Sequence, residues 1–269
     1  MRTIFNRFGR AAMLAMPLAG LAPAQGAGAD MTVRQMAERL HRADAGDLID
    51  FSRLDLRELD MSGLDFKGAK FAGSDLFGAD LTGADLSKAD LSGARLDRVV
   101  IIGARFDGAK LAGASLLRPS AFSTLAAPPS EAASFAGADL SGARIFGRLN
   151  RANLKGANLA GATFAPFGRT GFIEHLWRSE LLGADLSHAT LTGADLTHTL
   201  LAFANLRGAN LAGSVLKRAD LSGADLTGAD LTGADLSEAD LDGAILTGVR
   251  GLDTALGLAR ARNLEKVIR

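Results

Sequence analysis

Carboxylates recur at five-residue steps in this chain, most regularly as Asp220, Asp225, Asp230, Asp235 and Asp240. A calcium ladder or an acid–base pair would need such groups to converge. His188 and His198 are of the type that forms a zinc pair, while Glu131, Glu174, His175 and Glu180 are ionisable groups in irregular stretches. One further segment, 165–180, gathers Phe167, Arg169, Phe172, Arg178 and Trp177, the single tryptophan. Aromatic rings and arginines anchor protein interfaces, so these five are the candidate partner-binding residues. Cysteine is absent, which removes disulfides, thiolate metal ligands and cysteine nucleophiles. No G-x-S-x-G, P-loop or dinucleotide fingerprint surrounds the many serines and glycines, so no catalytic residue and no cofactor is expected.

Whether the ionisable groups meet depends on the elements that carry them. Leu, Phe, Met or Ile stands at every fifth position from Leu56 to Leu116, usually with Ala two residues before and Gly two after. Residues 229–233, Ala-Asp-Leu-Thr-Gly, show the unit. A helix is excluded, because five steps of about 100° turn each successive Leu by about 140° around the cylinder. Each Gly would also cost a helix about 1 kcal/mol relative to Ala. In an extended backbone the Ala and Leu share one face while the Asp between them points out. Thr or Ser and then Gly turn the chain, since Gly tolerates positive φ. One side and one corner therefore take five residues, and the sides close into a coil whose turns stack about 4.8 Å apart.

The A-(D/N)-L-x-G pattern, over about residues 51–250, resembles the pentapeptide repeat family. That resemblance implies an all-β solenoid, a right-handed quadrilateral parallel β-helix with four repeats per coil. Leu54, Leu59 and Leu64 depart from it where Ala is expected, as do Val99, Thr199 and Val249. Such bulkier residues suit wider or terminal coils. With four repeats per coil, residues twenty apart share a face: Asp55 with Asp75 and Arg95, Lys70 with Asp90 and Lys110. These mixed columns read as solvated faces, and the five aspartates from Asp220 spread around the tube. His188 and His198 fall on opposite sides, so no metal is expected.

The pattern divides the chain. Residues 51–116, 135–164 and 181–250 form three repeat blocks, with a four-residue step from Ile145 to Leu149. Residues 117–134, which contain Pro119, Pro128 and Pro129, read as an insertion loop. Residues 165–180 form the aromatic insertion. It either presents a contact surface or folds back to bury Trp177 against the tube, over outward Leu200, Phe203 and Val215. Tube ends need covering. Val33, Met36, Ala37 and Leu40 suggest an N-terminal cap helix within 31–50, and 251–269 reads as a C-terminal cap helix starting at Asp253. Relatives often dimerise through such a C-terminal element, which implies a homodimer.

Arg2, Arg7 and Arg10, the apolar stretch 11–22 and small residues up to Ala24 or Ala29 read as a cleavable signal peptide, 1–24. A periplasmic or secreted location follows, with no transmembrane segment in the mature chain. The whole chain has 30 basic and 30 acidic side chains. Loss of 1–24 leaves a mild acidic excess, too small to imply a nucleic-acid partner. The expectation is a non-enzymatic, exported scaffold with a protein partner in the cell envelope. The alternative comes from the resemblance: some family members mimic DNA and protect topoisomerases from quinolones, and some of those carry two loops.

Overall fold

At most corners the carbonyl of the inward Leu, Phe or Ile accepts a hydrogen bond from the amide three residues on, as from Ala209 to Leu206 at 3.0 Å. Gly208 between them has φ +62°, the positive value that a type II turn requires at its third residue. Amides on the sides reach the neighbouring coils instead: Leu211 N–H donates to the Asp230 carbonyl at 2.8 Å and Asn210 N–H to that of Ala189 at 2.9 Å. The computed structural model describes residues 29–44, 47–122, 128–166 and 178–269. Through the regular blocks it pairs residues twenty apart in parallel, as in Thr190 with Asn210 and Asn210 with Asp230. Twenty residues hold four five-residue sides, so the chain is a four-sided β-helix solenoid. Most sides contribute a single bridge. Among the described residues only β1 (Ser115–Leu117) and β2 (Arg144–Phe146) pair over three residues.

Four faces follow, which we number by the first coil: Asp50 opens the first face, Asp55 the second, Asp60 the third and Asp65 the fourth. Inward Ala and Leu fill the tube with almost no exposure. Near the N-terminal end Phe51, Phe66 and Phe71 pack ring on ring, with centroids 5.1–6.0 Å apart. Leu59 is buried there, and Leu54 and Leu64 lean on the same core. These three belong to the terminal coil, whereas Val99 and Thr199 fill Ala slots of interior coils with no exposure.

α1 (Val33–Arg42) is shorter than the 31–50 expectation. Thr32 and Gln35 form a capping box at its start, which satisfies otherwise unpaired amides. Met36 is buried in the core and Val33 and Leu40 pack against it. Asp30 pairs with Asp55 in both directions, its amide donating at 2.8 Å and its carboxylate accepting at 2.7 Å.

Three boundaries are corrected. Residues 251–269 are not a helix but a further coil, with short 3₁₀ turns at Leu258–Arg260 and Leu264–Lys266. Leu256, Arg262 and Ile268 pair with Asp235, Asp240 and Ile245, so these sides are six residues long. Gly257 at φ 68° and Asn263 at φ 57° are left-handed, which a helix does not allow. The first insertion is narrower than 117–134. Ser120 still pairs with Val100 and Ala121 is buried in the slot that Leu normally fills, and the pattern resumes at buried Ala133. The second insertion ends before Ser179, which is buried in an Ala slot with its hydroxyl donating to the Phe164 carbonyl at 2.7 Å.

Candidate interaction surface

The outward aspartates serve the corners. Asp90 Oδ1 accepts the Ser92 amide at 3.1 Å, Asp80 that of Thr82 at 2.8 Å and Asp230 that of Thr232 at 3.0 Å. Each bond spans two residues and pre-forms the turn, which Asn can do equally. Asn158 and Asn210 do so toward Ala160 and Ala212. Hydrogen bonds from Ser92 hold the Asp90 carboxyl below its ordinary range, and those from Thr232 and Ser237 do the same at Asp230 and Asp235. A carboxyl depressed in the folded state contributes stability above its unfolded pKa, near 3.9, and loses it as pH falls through the folded value. The thermal midpoint, followed by circular dichroism, is therefore expected to hold from about pH 8 to 5 and to fall steadily below about pH 4. A midpoint unchanged at about pH 2 would contradict this role.

Among the described residues the other ionisable candidates do not converge. His188 lies at the corner between the fourth and first faces, His198 at the diagonally opposite corner. Glu180 accepts from Arg148 at 3.0 Å and Asn150 at 2.9 Å. Glu131 sits in a 3₁₀ turn, and Glu174 and His175 lie outside the described residues. Among the described residues no group of His, Asp and Glu could hold a metal ion.

One corner differs from the rest. Between the first and second faces the left-handed position is almost always Gly: Gly73, Gly93, Gly113, Gly142, Gly161, Gly193, Gly213 and Gly233. Between the second and third faces Gly78 and Gly147 remain, but that position otherwise holds Glu58, Arg98, Arg118, His198, Arg218 and Glu238 through the regular coils, all with φ between 54° and 62°. A side chain in this conformation costs about 1–2 kcal/mol, so the chain gives up corner stability along one edge to place charges there. We call it the basic edge. Arg95 and Arg98 stand 4.4 and 5.5 Å from the Phe77 ring centroid. Arg178, His198, Arg218, Glu238 and Arg262 line an open groove of 460 Å³.

The second insertion leaves from the same edge, since Thr163 lies on the second face and Glu180 on the third. Of the residues expected to bind a partner, Arg178 is exposed on this edge. Phe167, Arg169, Phe172 and Trp177 lie outside the described residues. Phe203 is not covered: it is 75% exposed, with its ring edge over Gly223 of the next coil, while Leu200 and Val215 are half-buried. Sequence reasoning missed Arg98, Arg118 and Arg218. Their signal was a Gly column broken by charge at twenty-residue intervals.

The family model for pentapeptide repeats matches in eight copies, over residues 49–87, 79–116, 179–218 and 209–248. The chain belongs to the pentapeptide repeat family. No curated protein matches this pentapeptide repeat chain. Among solved structures it is similar to HetL, a pentapeptide repeat protein involved in heterocyst differentiation regulation from Nostoc sp. strain PCC 7120. That match has 27% identity over 89% of this chain and 100% of that one, with a TM-score of 0.34. Rfr23 from Cyanothece 51142 is 33% identical over 40% of this chain and 63% of its own, with a TM-score of 0.32. The plasmid-mediated fluoroquinolone resistance protein QnrB1 is 21% identical over 70% and 87%, with a TM-score of 0.39.

Proposed function

We propose that this pentapeptide repeat protein is an exported, non-enzymatic interaction scaffold of the cell envelope, coiled in the right-handed sense the family implies. The supporting observation is the basic edge, where regular corners give way to charged residues and the segment bearing the only tryptophan departs. No helix among the described residues is long and apolar enough to cross a membrane. The same edge weighs against mimicry of DNA, which would need a surface dense in negative charge. In the last coil Leu256 and Ile268 are 59% and 53% exposed. A second copy packed on that end belongs to this reading, and light scattering at the mass of a single chain would remove it.

Affinity capture from an envelope fraction tests the central statement. The bait is residues 25–269, compared with a version in which 167–177 is replaced by a short Gly-Ser link. A partner recovered by the first and lost by the second is expected. Equal recovery, or none, would overturn the role of the segment, and recovery from cytoplasmic extract alone would overturn the location.

A further inference from the structure

We propose that the basic edge between Arg98 and Arg218 is a docking ridge for an acidic protein segment, whose carboxylates seat in the groove beside Arg178 and Arg218. This rests on the reading of the chain as an interaction module and names the chemistry of its partner.

Three observations carry the inference. First, cations occupy strained corner positions that Gly fills on the neighbouring edge, where a left-handed side chain costs about 1–2 kcal/mol of corner stability. Second, the cations flanking the groove are chiefly arginine, whose planar fork matches a carboxylate in two parallel hydrogen bonds. Among the described residues the only acid lining the groove, Glu238, is engaged by Arg218 at 2.8 Å. Among the described residues, no carboxylate ion-pairs with Arg178 or Arg98. An incoming anion therefore meets an excess of positive charge. Third, the ridge is bounded. Glu58 stands on the same edge at one end and Glu238 at the other, and the third face beside it carries Asp60 and Asp80 before the ridge and Asp220 and Asp240 at its far end. The carboxylates along the ridge are engaged, Asp97 by Arg95, Glu180 by Arg148 and Asp195 by the Thr197 amide.

Five coil spacings separate Arg98 from Arg218, about 24 Å, which an extended segment of about seven residues spans. A long uniform polyanion would run onto the acidic flanks. A short segment that mixes carboxylates with apolar residues would not, and it would find Phe77 held against Arg95 and Arg98 and half-buried Leu117 on the same edge.

Fluorescence anisotropy with a labelled Glu-rich heptapeptide carrying a central Phe tests the ridge. The proteins are residues 25–269 and a variant with Arg98→Gln, Arg178→Gln and Arg218→Gln. A Lys88→Gln variant, altered at a left-handed corner of a different edge, is the control. The triple variant is expected to bind at least about 10-fold more weakly while Lys88→Gln binds as the parent does. Three outcomes would overturn the proposal: equal binding by the triple variant, no binding at about 1 mM peptide, or preferential binding of an oligogalacturonate probe. The 167–177 replacement separates the two readings. If it still binds the peptide through the arginines yet captures the parent's partners, the ridge stands and the segment's role fails. Capture that depends on the segment, with peptide binding indifferent to the arginines, leaves the interaction module standing and removes the ridge.

Discussion

Phe135→Ala is expected to destabilise the tube by about 3–5 kcal/mol, the range for removing a buried ring. Phe135 is 1% exposed and stacks on Phe106 of the preceding coil, with ring centroids 4.8 Å apart and planes within 4°. It is the first inward side chain of its size after the first insertion, so it ties the resumed pattern to the coil before the break. Leu116, Leu149 and Phe164 line the same stretch of interior and are held by their own coils, so the lost ring would leave a cavity rather than let neighbours close in. In a solenoid each coil contacts only its neighbours, which confines the damage to this layer. Urea unfolding followed by circular dichroism should show a lower midpoint and a transition that broadens or divides, as the two halves lose their coupling. Phe135→Leu should recover most of the loss. A midpoint shift of less than about 1 kcal/mol for Phe135→Ala would show that the insertion carries the connection instead.

The parts of this fold that were legible are those where one physical rule acts on every repeat. Alternation of inward and outward side chains places Ala84 and Leu86 in the core, and the need for positive φ places Gly83 at its corner. Where two rules give the same spacing, the reading fails. Leu252, Ala255, Leu258, Ala261 and Leu264 recur at three-residue steps, which suits one face of a helix as well as six-residue sides of a coil. Only the left-handed Gly257 and Asn263 separate the two, and glycine is common throughout the chain. Ala121 hid a side because a small residue took the slot by which the pattern is recognised. The aspartates were read as a solvated face, while their acceptor role toward the corner amides depends on atoms that spacing alone does not place. The basic edge was hidden for a related reason. Each of its arginines replaces one glycine in one repeat and looks like a lapse until repeats twenty residues apart are laid beside each other.

Gly147→Ala should be far more damaging than the same change at an ordinary corner. The step from Ile145 to Leu149 is one residue short, and the corner closes by taking Gly147 to φ +150°. A Cβ there would lie 2.9 Å from Pro119 Cδ and 3.2 Å from Arg118 Cα. Neither neighbour can yield by turning a side chain, since one belongs to a proline ring and the other to the backbone. At Gly113, with φ +66°, a Cβ meets nothing within 4 Å. Gly113→Ala is accordingly expected to cost about 1–2 kcal/mol, the ordinary penalty of a left-handed alanine. Gly147→Ala adds a rigid overlap to a similar strain and should cost about 3 kcal/mol or more. Gly147 also sits on the basic edge, in the coils between Arg118 and Arg178, so any relief of the overlap must move Arg118 or Pro119. The expected signature is therefore double: a lower urea midpoint, and weaker binding of the acidic peptide at concentrations of urea where the tube is still folded. Equal costs at the two glycines would show that the shortened corner relaxes freely and that the edge is not held in register through it.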